Sequence, residues 1–171
     1  MSSKWIYIRE EEIHTRYVLG EVGENPIICI GVNPSTAKPN DLDRTISKIR
    51  KYSSQSKKYK GWIMLNLYPF VETNPNKLPQ EINKEIYSKN IEEIKKIISE
   101  YEDSDILCAW GVSIEKRKYL KSSLIDILKE IKCKKLKKLD LTTKGHPRHP
   151  LYCKIPAELD DFDIKEYKYI K

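Results

Sequence analysis

The segment Pro26-Ile-Ile-Cys-Ile-Gly-Val-Asn-Pro-Ser35 joins a continuous apolar run to a turn. A strand that is apolar on both faces is usually covered on both faces, as strands in parallel sheets are. The same texture returns at residues 61–66 and 105–110, and in a weaker form at 135–141. The segment therefore predicts one strand of a mainly parallel, four-stranded central sheet.

Helical patterns lie between these apolar runs. Residues 43–52, 85–101 and 122–131 carry apolar side chains at three- and four-residue spacing, which places them on one face of a helix. Alternation of strands and helices is typical of α/β domains in which helices cover both faces of the sheet. We therefore predict a three-layer α/β/α fold.

The two ends of the chain show a different pattern. Residues 5–8 and 15–22 alternate apolar or aromatic with polar side chains, which predicts an antiparallel hairpin at an edge of the sheet. Residues 162–170 alternate in the same way, and we interpret them as one further strand.

The composition favours one soluble domain over residues 1–171. The chain has 39% hydrophobic and 33% charged residues, and no apolar run approaches the ~20 residues that span a bilayer. The amino terminus has no apolar leader, so we expect a cytoplasmic protein with no membrane partner, monomeric by default. The four cysteines (29, 108, 133 and 153) form no Cys-x-x-Cys pair, which predicts reduced thiols and no metal or cofactor.

The net charge of +7 leaves two interpretations open. Lysine and arginine total 32 against 25 acidic residues, an excess that suits a polyanionic partner such as nucleic acid. Much of the lysine falls in stretches such as 116–121 and 132–138, which are also typical of solvated helical faces.

Polar residues follow the predicted strands at the edge where ligands bind in open α/β sheets. These segments are residues 31–37, 66–70, 110–113 and 142–152. Gly31 and Gly111 allow a ligand to approach the backbone closely, and helix amides after Asn33 favour an anion. Each segment also has a structural explanation, because Asn and Ser are common in turns and caps and loop histidines are often exposed.

The order of these motifs resembles the uracil-DNA glycosylase superfamily. The motifs are Gly-x-Asn-Pro-Ser at 31–35, a strand ending in Asn66, a strand ending in Trp110-Gly111, and a late His-Pro loop at 149–150. A closer resemblance, over residues 16–152, is to the family called domain of unknown function 1643. It rests on Asn-Pro-Ser-Thr-Ala, Asp-x-Thr-Ile at 43–46, Asn-Leu-Tyr, Ala-Trp-Gly and His-Pro-Leu-Tyr.

The superfamily resemblance implies a uracil-DNA glycosylase-like fold and cleavage of the bond between a base and its sugar. By that resemblance Asn33 would orient a water, Asn66 would hydrogen-bond the base edge, and His149 would stabilise charge on the base carbonyl. Tyr68 would stack on the base. Arg148 and Lys144 would hold phosphate. The remaining expected ligand contacts are Gly31, Pro34, Ser35, Thr45, Trp110, Gly111, His146 and Tyr152.

Two functions remain open at this stage, because Asn33 stands where the most active superfamily members carry Asp and cannot act as a general base. Asp43 can supply the missing carboxylate, or it can be an ordinary helix N-cap. The chain is then either an N-glycosidic hydrolase acting on a base in nucleic acid or nucleotide, or a non-catalytic module that binds a nucleotide or modified base. A purely structural or protein-interaction domain, in which these residues bind no ligand, is a third hypothesis. The cysteines lack the spacing of the iron–sulfur cluster found in some members, so none is expected.

Overall fold

The structure is a computed structural model that describes residues 4–131 and 134–171. Its strands are β1 (Lys4–Glu10), β2 (Thr15–Val22), β3 (Ile27–Gly31), β4 (Gly61–Asn66), β5 (Ile106–Cys108), β6 (Leu136–Lys138) and β7 (Asp160–Asp161). Its α-helices are α1 (Arg44–Gln55), α2 (Lys84–Glu100) and α3 (Lys118–Glu130). Cys133 and part of the lysine stretch 132–138 lie outside the described residues.

The strands form one sheet in the order β1-β2-β4-β3-β5-β6-β7. The central strands β4, β3, β5 and β6 are parallel, as predicted. The prediction of four strands is wrong for the sheet as a whole, because the antiparallel hairpin β1–β2 continues it at one edge and the antiparallel β7 at the other. The hairpin continues the sheet because β2 pairs with β4.

Helices cover both faces of the sheet and enclose two hydrophobic clusters. On one face, Ile46 and Ile49 of α1 pack against Cys29, Trp62 and Met64. On the other face, the apolar stripes of α2 and α3 pack against the remaining strand side chains. This alternation of inward faces is what the strand period of two and the helix period of 3.6 dictate.

The prediction of a final strand at 162–170 is wrong. Only Asp160–Asp161 pairs with β6, and the chain then forms short 3-10 turns at Ile164–Glu166 and Lys168–Ile170. The aromatic residues of the tail pack inward instead: Phe162 and Tyr167 surround Trp110, whose Nε1–H donates to the Tyr167 hydroxyl at 3.1 Å. Burial of these rings, rather than strand pairing, produces the alternation.

The strand register brings the polar segments to one edge of the sheet. Gly31 at the end of β3 lies beside Asn66 at the end of β4, and Ile30 lies beside Cys108 of β5. The loops that leave these strands are therefore neighbours. No helix within residues 4–131 or 134–171 has the length and apolar character to cross a membrane.

Candidate functional site

A cleft of about 570 Å³ opens at the carboxyl ends of the central strands. It is formed by residues from the loops after β3 and β5, the start of α1, the segment 72–75 and the loop after β6. Ten predicted site residues line it: Gly31, Asn33, Ser35, Asp43, Thr45, Trp110, Gly111, Arg148, His149 and Tyr152. Five others, Pro34, Asn66, Tyr68, Lys144 and His146, do not.

Asn66 lies beneath the cleft with an unsatisfied carboxamide. The residue is 1% exposed, and neither its Nδ2 nor its Oδ1 has a hydrogen-bond partner among the described residues. A buried polar group without a partner costs about 1–3 kcal/mol. Its backbone carbonyl is held by Nδ2 of Asn90 on α2 at 2.9 Å, so the main chain is anchored while the side chain is not.

Asn33 holds the wall of the cleft. Its Nδ2 donates to the carbonyl oxygens of Pro34 at 3.1 Å, Phe70 at 3.4 Å and Glu72 at 2.7 Å. The amide nitrogen is therefore committed to joining the loop after β3 to the segment after β4. Its Oδ1 accepts no hydrogen bond from a described residue and remains available to a ligand or water.

Asp43 caps α1 and also lines the cleft. Its Oδ1 accepts from the backbone N–H of Ile46 at 2.9 Å, as an N-cap does. Its Oδ2 has no hydrogen-bond partner among the described residues. One carboxylate oxygen of Asp43 caps the helix and the other has no partner among the described residues. The geometry is therefore compatible with both interpretations, helix cap and site carboxylate.

Arg16 is a buried cation close to Asp43 that the sequence analysis did not single out. Its Nη1 donates to the carbonyl oxygen of Ala37 at 2.8 Å, which secures the loop between β3 and α1. Burial lowers the pKa of Arg16 to about 10, and the negative charge of Asp43 acts in the opposite direction. The alternating pattern of β2 does not indicate that its polar residue Arg16 is buried.

His149 presents a hydrogen-bond donor to the cleft. Its Nδ1 accepts from the backbone N–H of Leu151 at 3.2 Å, so the neutral ring must carry its proton on Nε2. Burial lowers the pKa of His149; the charge of Asp43 raises it and that of Lys48 lowers it. The neutral ring with Nε2–H is therefore favoured, and Nε2 has no hydrogen-bond partner among the described residues.

Lys48 ties α1 to the loop that carries His149. Its Nζ donates to the carbonyl oxygens of Pro150 at 3.0 Å, Leu151 at 3.2 Å and Cys153 at 3.2 Å. These carbonyls surround one ammonium group, so the loop cannot leave α1 without losing all of these bonds. The sequence offers no signal for this contact, which spans more than 100 residues.

Tyr68 and Pro34 do not reach the cleft, and the indole of Trp110 packs in the core. The ring of Tyr68 packs 5.0 Å from that of Tyr119, and its hydroxyl accepts from the N–H of Asn83, so it cannot stack on a ligand in this cleft. Pro34 is buried without lining the cleft, and the indole of Trp110 faces the core, so only other parts of Trp110 can border the cleft.

His146 is part of a buried hydrogen-bond chain. Its Nδ1 lies 2.6 Å from the Tyr167 hydroxyl and its Nε2 lies 2.7 Å from Oε1 of Glu115. Because the Tyr167 oxygen already accepts from Trp110, its proton goes to Nδ1 and the His146 Nε2–H donates to the carboxylate. Lys144 bonds the other oxygen of Glu115 at 2.6 Å rather than reaching for phosphate.

The rim of the cleft combines exposed apolar side chains with charged residues of both signs. Of the five exposed large apolar side chains within residues 4–131 and 134–171, three line the cleft: Val112, Leu151 and Tyr152. Tyr152 is 73% exposed. Arg44 and Arg148 line the same opening, and so do Asp43 and Glu72. Clustered exposed apolar residues mark interaction sites.

The sequence analysis missed several lining residues. Met64 lies two residues before Asn66 on the same strand, so the strand period of two was a usable signal for it. Thr142 and Thr143 lie four and five residues after the end of β6 and were within the loop already singled out. The segment 72–75 had no local signal, because it reaches the cleft through its distant contact with Asn33.

A larger groove of about 1130 Å³ runs beside α1 near the β2–β3 turn. Its lining includes Arg50, Lys51 and Trp62 and contains none of the predicted site residues. Arg50 is held there by a bidentate ion pair with Glu21. The smaller cleft is the stronger candidate, because it lies at the strand ends next to an unsatisfied amide.

Metal and thiol chemistry have no visible site in the described part of the chain. No group of three or more His, Cys, Asp or Glu there is placed to hold a metal ion. Cys29, Cys108 and Cys153 are free, and burial raises the pKa of Cys29 to about 12, which keeps its thiol protonated.

Comparison with known proteins places the chain in a family. A family model described as "protein of unknown function (DUF1643)" matches residues 16–151. The chain is a member of the DUF1643 family. The matched region includes every residue of the DUF1643 cleft described above except Tyr152. No curated protein and no solved structure matches the chain.

Proposed function

We propose that the cleft binds a nucleobase, either free, in a nucleotide or in nucleic acid. The observation that carries the proposal is the carboxamide of Asn66, which offers an unused donor and an unused acceptor beneath the cleft. A base edge presents the complementary pair of groups. The Nε2–H of His149 supplies a further donor suited to a base carbonyl.

The order of the motifs supports a uracil-DNA glycosylase-like arrangement as part of this proposal. The Gly-x-Asn-Pro loop, the Asn-terminated strand, the Trp-Gly strand end and the His-Pro loop all belong to neighbouring strands of one sheet. Three of the four segments contribute directly to the cleft, and Asn66 of the fourth lies under it.

The enzymatic form of the proposal is hydrolysis of the N-glycosidic bond. A water attacks the anomeric carbon of the sugar, the carbon–nitrogen bond breaks, and its electron pair leaves on the base. Asp43 takes the proton from the water through Oδ2, while the Nε2–H of His149 donates to the base carbonyl on which charge develops. Asn33 orients the water by accepting a hydrogen bond from it through Oδ1, and it takes no part in the proton transfer.

The alternative is a binding module without turnover. It is favoured by the amide nitrogen of Asn33, which is committed to three backbone carbonyls and so serves the architecture of the cleft. Such a module uses Asn66 and His149 for recognition in the same way and differs only in lacking attack by water.

Release of base separates the two forms. Wild-type protein is incubated with uracil-containing, mismatched and modified-base oligonucleotides, and abasic sites and free base are measured. Asp43→Asn is the most informative variant, because Asn caps helices as well as Asp. Its folding is checked by circular dichroism, since the buried Arg16 loses a nearby negative charge. A loss of at least about 100-fold in turnover supports Asp43 as the base. Binding without release supports the module, and absence of both refutes the proposal.

Tyr152 at the rim of the cleft allows the size of the substrate to be tested. If the substrate is a polymer, Tyr152→Ala should weaken binding of a single-stranded oligonucleotide by about tenfold through lost stacking, and leave binding of the matching mononucleotide within about twofold. Ile13→Ala is the matched control, since Ile13 is an exposed apolar residue that does not line the cleft. Equal effects of Tyr152→Ala on both ligands contradict the polymer reading.

A further inference from the structure

The unsatisfied amide of Asn66 is close to the cleft but is closed off from it. Asn66 is 1% exposed and does not line the cleft, whereas Met64 and Gly31 do. Met64 and Asn66 lie on the same face of β4, because alternate residues of a strand share a face. Gly31 is the register partner of Asn66 on β3. These residues form the floor at the point where a ligand would meet the amide.

The space above Gly31 is bordered by two groups. A Cβ at Gly31 would lie 2.8 Å from Cε of Met64 and 3.1 Å from Oδ1 of Asn66, with no other heavy atom within 4 Å apart from chain neighbours. The thioether methyl and the amide oxygen therefore face the same small space. The backbone there is fixed, since the carbonyl of Gly31 accepts from the N–H of Leu67 at 2.9 Å.

Met64 is the part of this floor that can move. Methionine is unbranched, has three rotatable bonds and adapts its shape readily. Rotation about the last bonds of its side chain shifts the methyl without disturbing β4. Gly31 has no side chain, so it leaves the vacated space open to a ligand.

We propose that the side chain of Met64 is a movable cover over the Asn66 amide and thereby decides which ligands reach it. The inference rests on the proposed nucleobase function. When the Met64 side chain covers Asn66, the side-chain amide of Asn66 has no hydrogen-bond partner among the described residues. A flat ring that displaces the methyl gives the amide its partners, and the thioether packs against the ring. A ligand with bulk above its plane cannot share this space and is excluded.

The first experiment needs no ligand. The rate at which the side-chain amide protons of Asn66 exchange with water is measured by NMR, with the signals assigned through Asn66→Ser. Met64→Ala should accelerate the exchange by at least roughly tenfold. Met64→Leu, which conserves volume, should leave it within about twofold. Unchanged exchange in folded Met64→Ala overturns the proposal.

The second experiment uses the wild-type protein and so does not depend on a variant folding. The sequence contains two methionines, Met1 and Met64, so labelling the methionine methyl carbons gives two signals. Uracil, cytosine, adenine and guanine are added in turn. Binding should shift the Met64 signal through the ring current of the base and leave the Met1 signal in place. A base that shifts backbone signals of Gly31 and Asn33 but not the Met64 methyl contradicts the cover.

These experiments distinguish failure of the nucleobase proposal from failure of the proposal that Met64 covers Asn66. If neither these bases nor the oligonucleotides named above bind, the nucleobase proposal fails, and the exchange rate of the Asn66 amide still decides whether Met64 covers it. If a base binds while exchange is the same in wild type and Met64→Ala, the nucleobase proposal stands and the cover is refuted.

Discussion

Asn33 and Asn66 are the same residue type at the same edge of the sheet, and the structure uses them in opposite ways. Asn33 follows β3, and its amide nitrogen reaches three carbonyl oxygens of the surrounding loops. Asn66 ends β4, and its amide is enclosed without a partner. The first therefore stabilises the cleft, whereas the second carries an energetic cost that a ligand can remove.

Asn33→Asp should destabilise the protein and should not create a more active enzyme. A carboxylate cannot donate to the carbonyls of Pro34, Phe70 and Glu72, and it would lie against their oxygen atoms. We expect a loss of about 2–4 kcal/mol in the free energy of unfolding at pH 7, measured by urea denaturation.

The pH dependence of the stability of Asn33→Asp tests whether the carbonyl contacts cause the loss. A protonated carboxyl can donate one hydrogen bond, so the deficit of Asn33→Asp relative to Asn33→Ala should shrink as the pH falls toward 4. A variant as stable as wild type at pH 7 would show that the three carbonyl contacts contribute little.

At the scale of elements, α1 is the component that organises the cleft. Asp43 at its N-terminus lines the opening, and Lys48, farther along the helix, grips the loop that carries His149. Arg16 on β2 secures the loop that leads into the helix. The two ends of the site, which are about 100 residues apart in sequence, are thus positioned by a single helix.

Lys48→Met should loosen the His149 loop while keeping α1 intact. Methionine retains helix propensity and side-chain length, but it cannot donate to the carbonyls of Pro150, Leu151 and Cys153. We expect about 1–2 kcal/mol lower stability and faster amide exchange for residues 149–153 than for the rest of the chain. Lys48→Arg, which keeps donors and charge, is the control and should fall between the two proteins. Uniformly faster exchange across the chain would contradict a local role.

The same substitution should also raise the pKa of His149. The ammonium of Lys48 lowers that pKa in the wild type, so its removal acts in the opposite direction. An NMR titration of the ring protons measures this change. A lower pKa in Lys48→Met would show that the loop closes further over the ring when the ammonium is lost.

At the scale of the whole molecule, folding encloses His149 in a cleft whose rim stays apolar and exposed. The ring is partly buried, and burial lowers its pKa below the ordinary histidine value. The unfolded chain therefore takes up a proton at a higher pH than the folded chain does. Protonation thus works against folding as the solution becomes acidic.

The free energy of unfolding of the wild type should therefore decrease as the pH falls, and it should decrease less in His149→Gln. The contribution of His149 is complete above about pH 6.5, the ordinary histidine pKa, and is lost as the pH falls through the lower value in the folded state. Thermal unfolding between pH 8 and 5 measures it as the difference between the two proteins. His14→Gln, at an exposed histidine, should keep the acid loss of the wild type. Parallel curves for wild type and His149→Gln would exclude His149 as its source.

The elements themselves were largely predictable from the sequence. The parallel core, the hairpin and all three α-helices were found because apolar periodicity is a local property of the chain. The start of α1 was also readable, since Asp43 is a favoured N-cap residue. The tail was read wrongly because alternation does not distinguish pairing with a strand from packing of Phe162 and Tyr167 around a buried tryptophan.

The site was predictable in its location but not in the roles of its side chains. The sequence alone determined which segments follow the central strands, and parallel strands end at one edge, so ten of the fifteen expected residues line the cleft. Only the tertiary structure decided that Tyr68 and His146 are buried, that the amide nitrogen of Asn33 donates to distant carbonyl oxygens, and that the Met64 methyl and the Asn66 amide oxygen border the same space beside Gly31. These outcomes depend on contacts between residues far apart in the chain, which local periodicity and motif order do not encode.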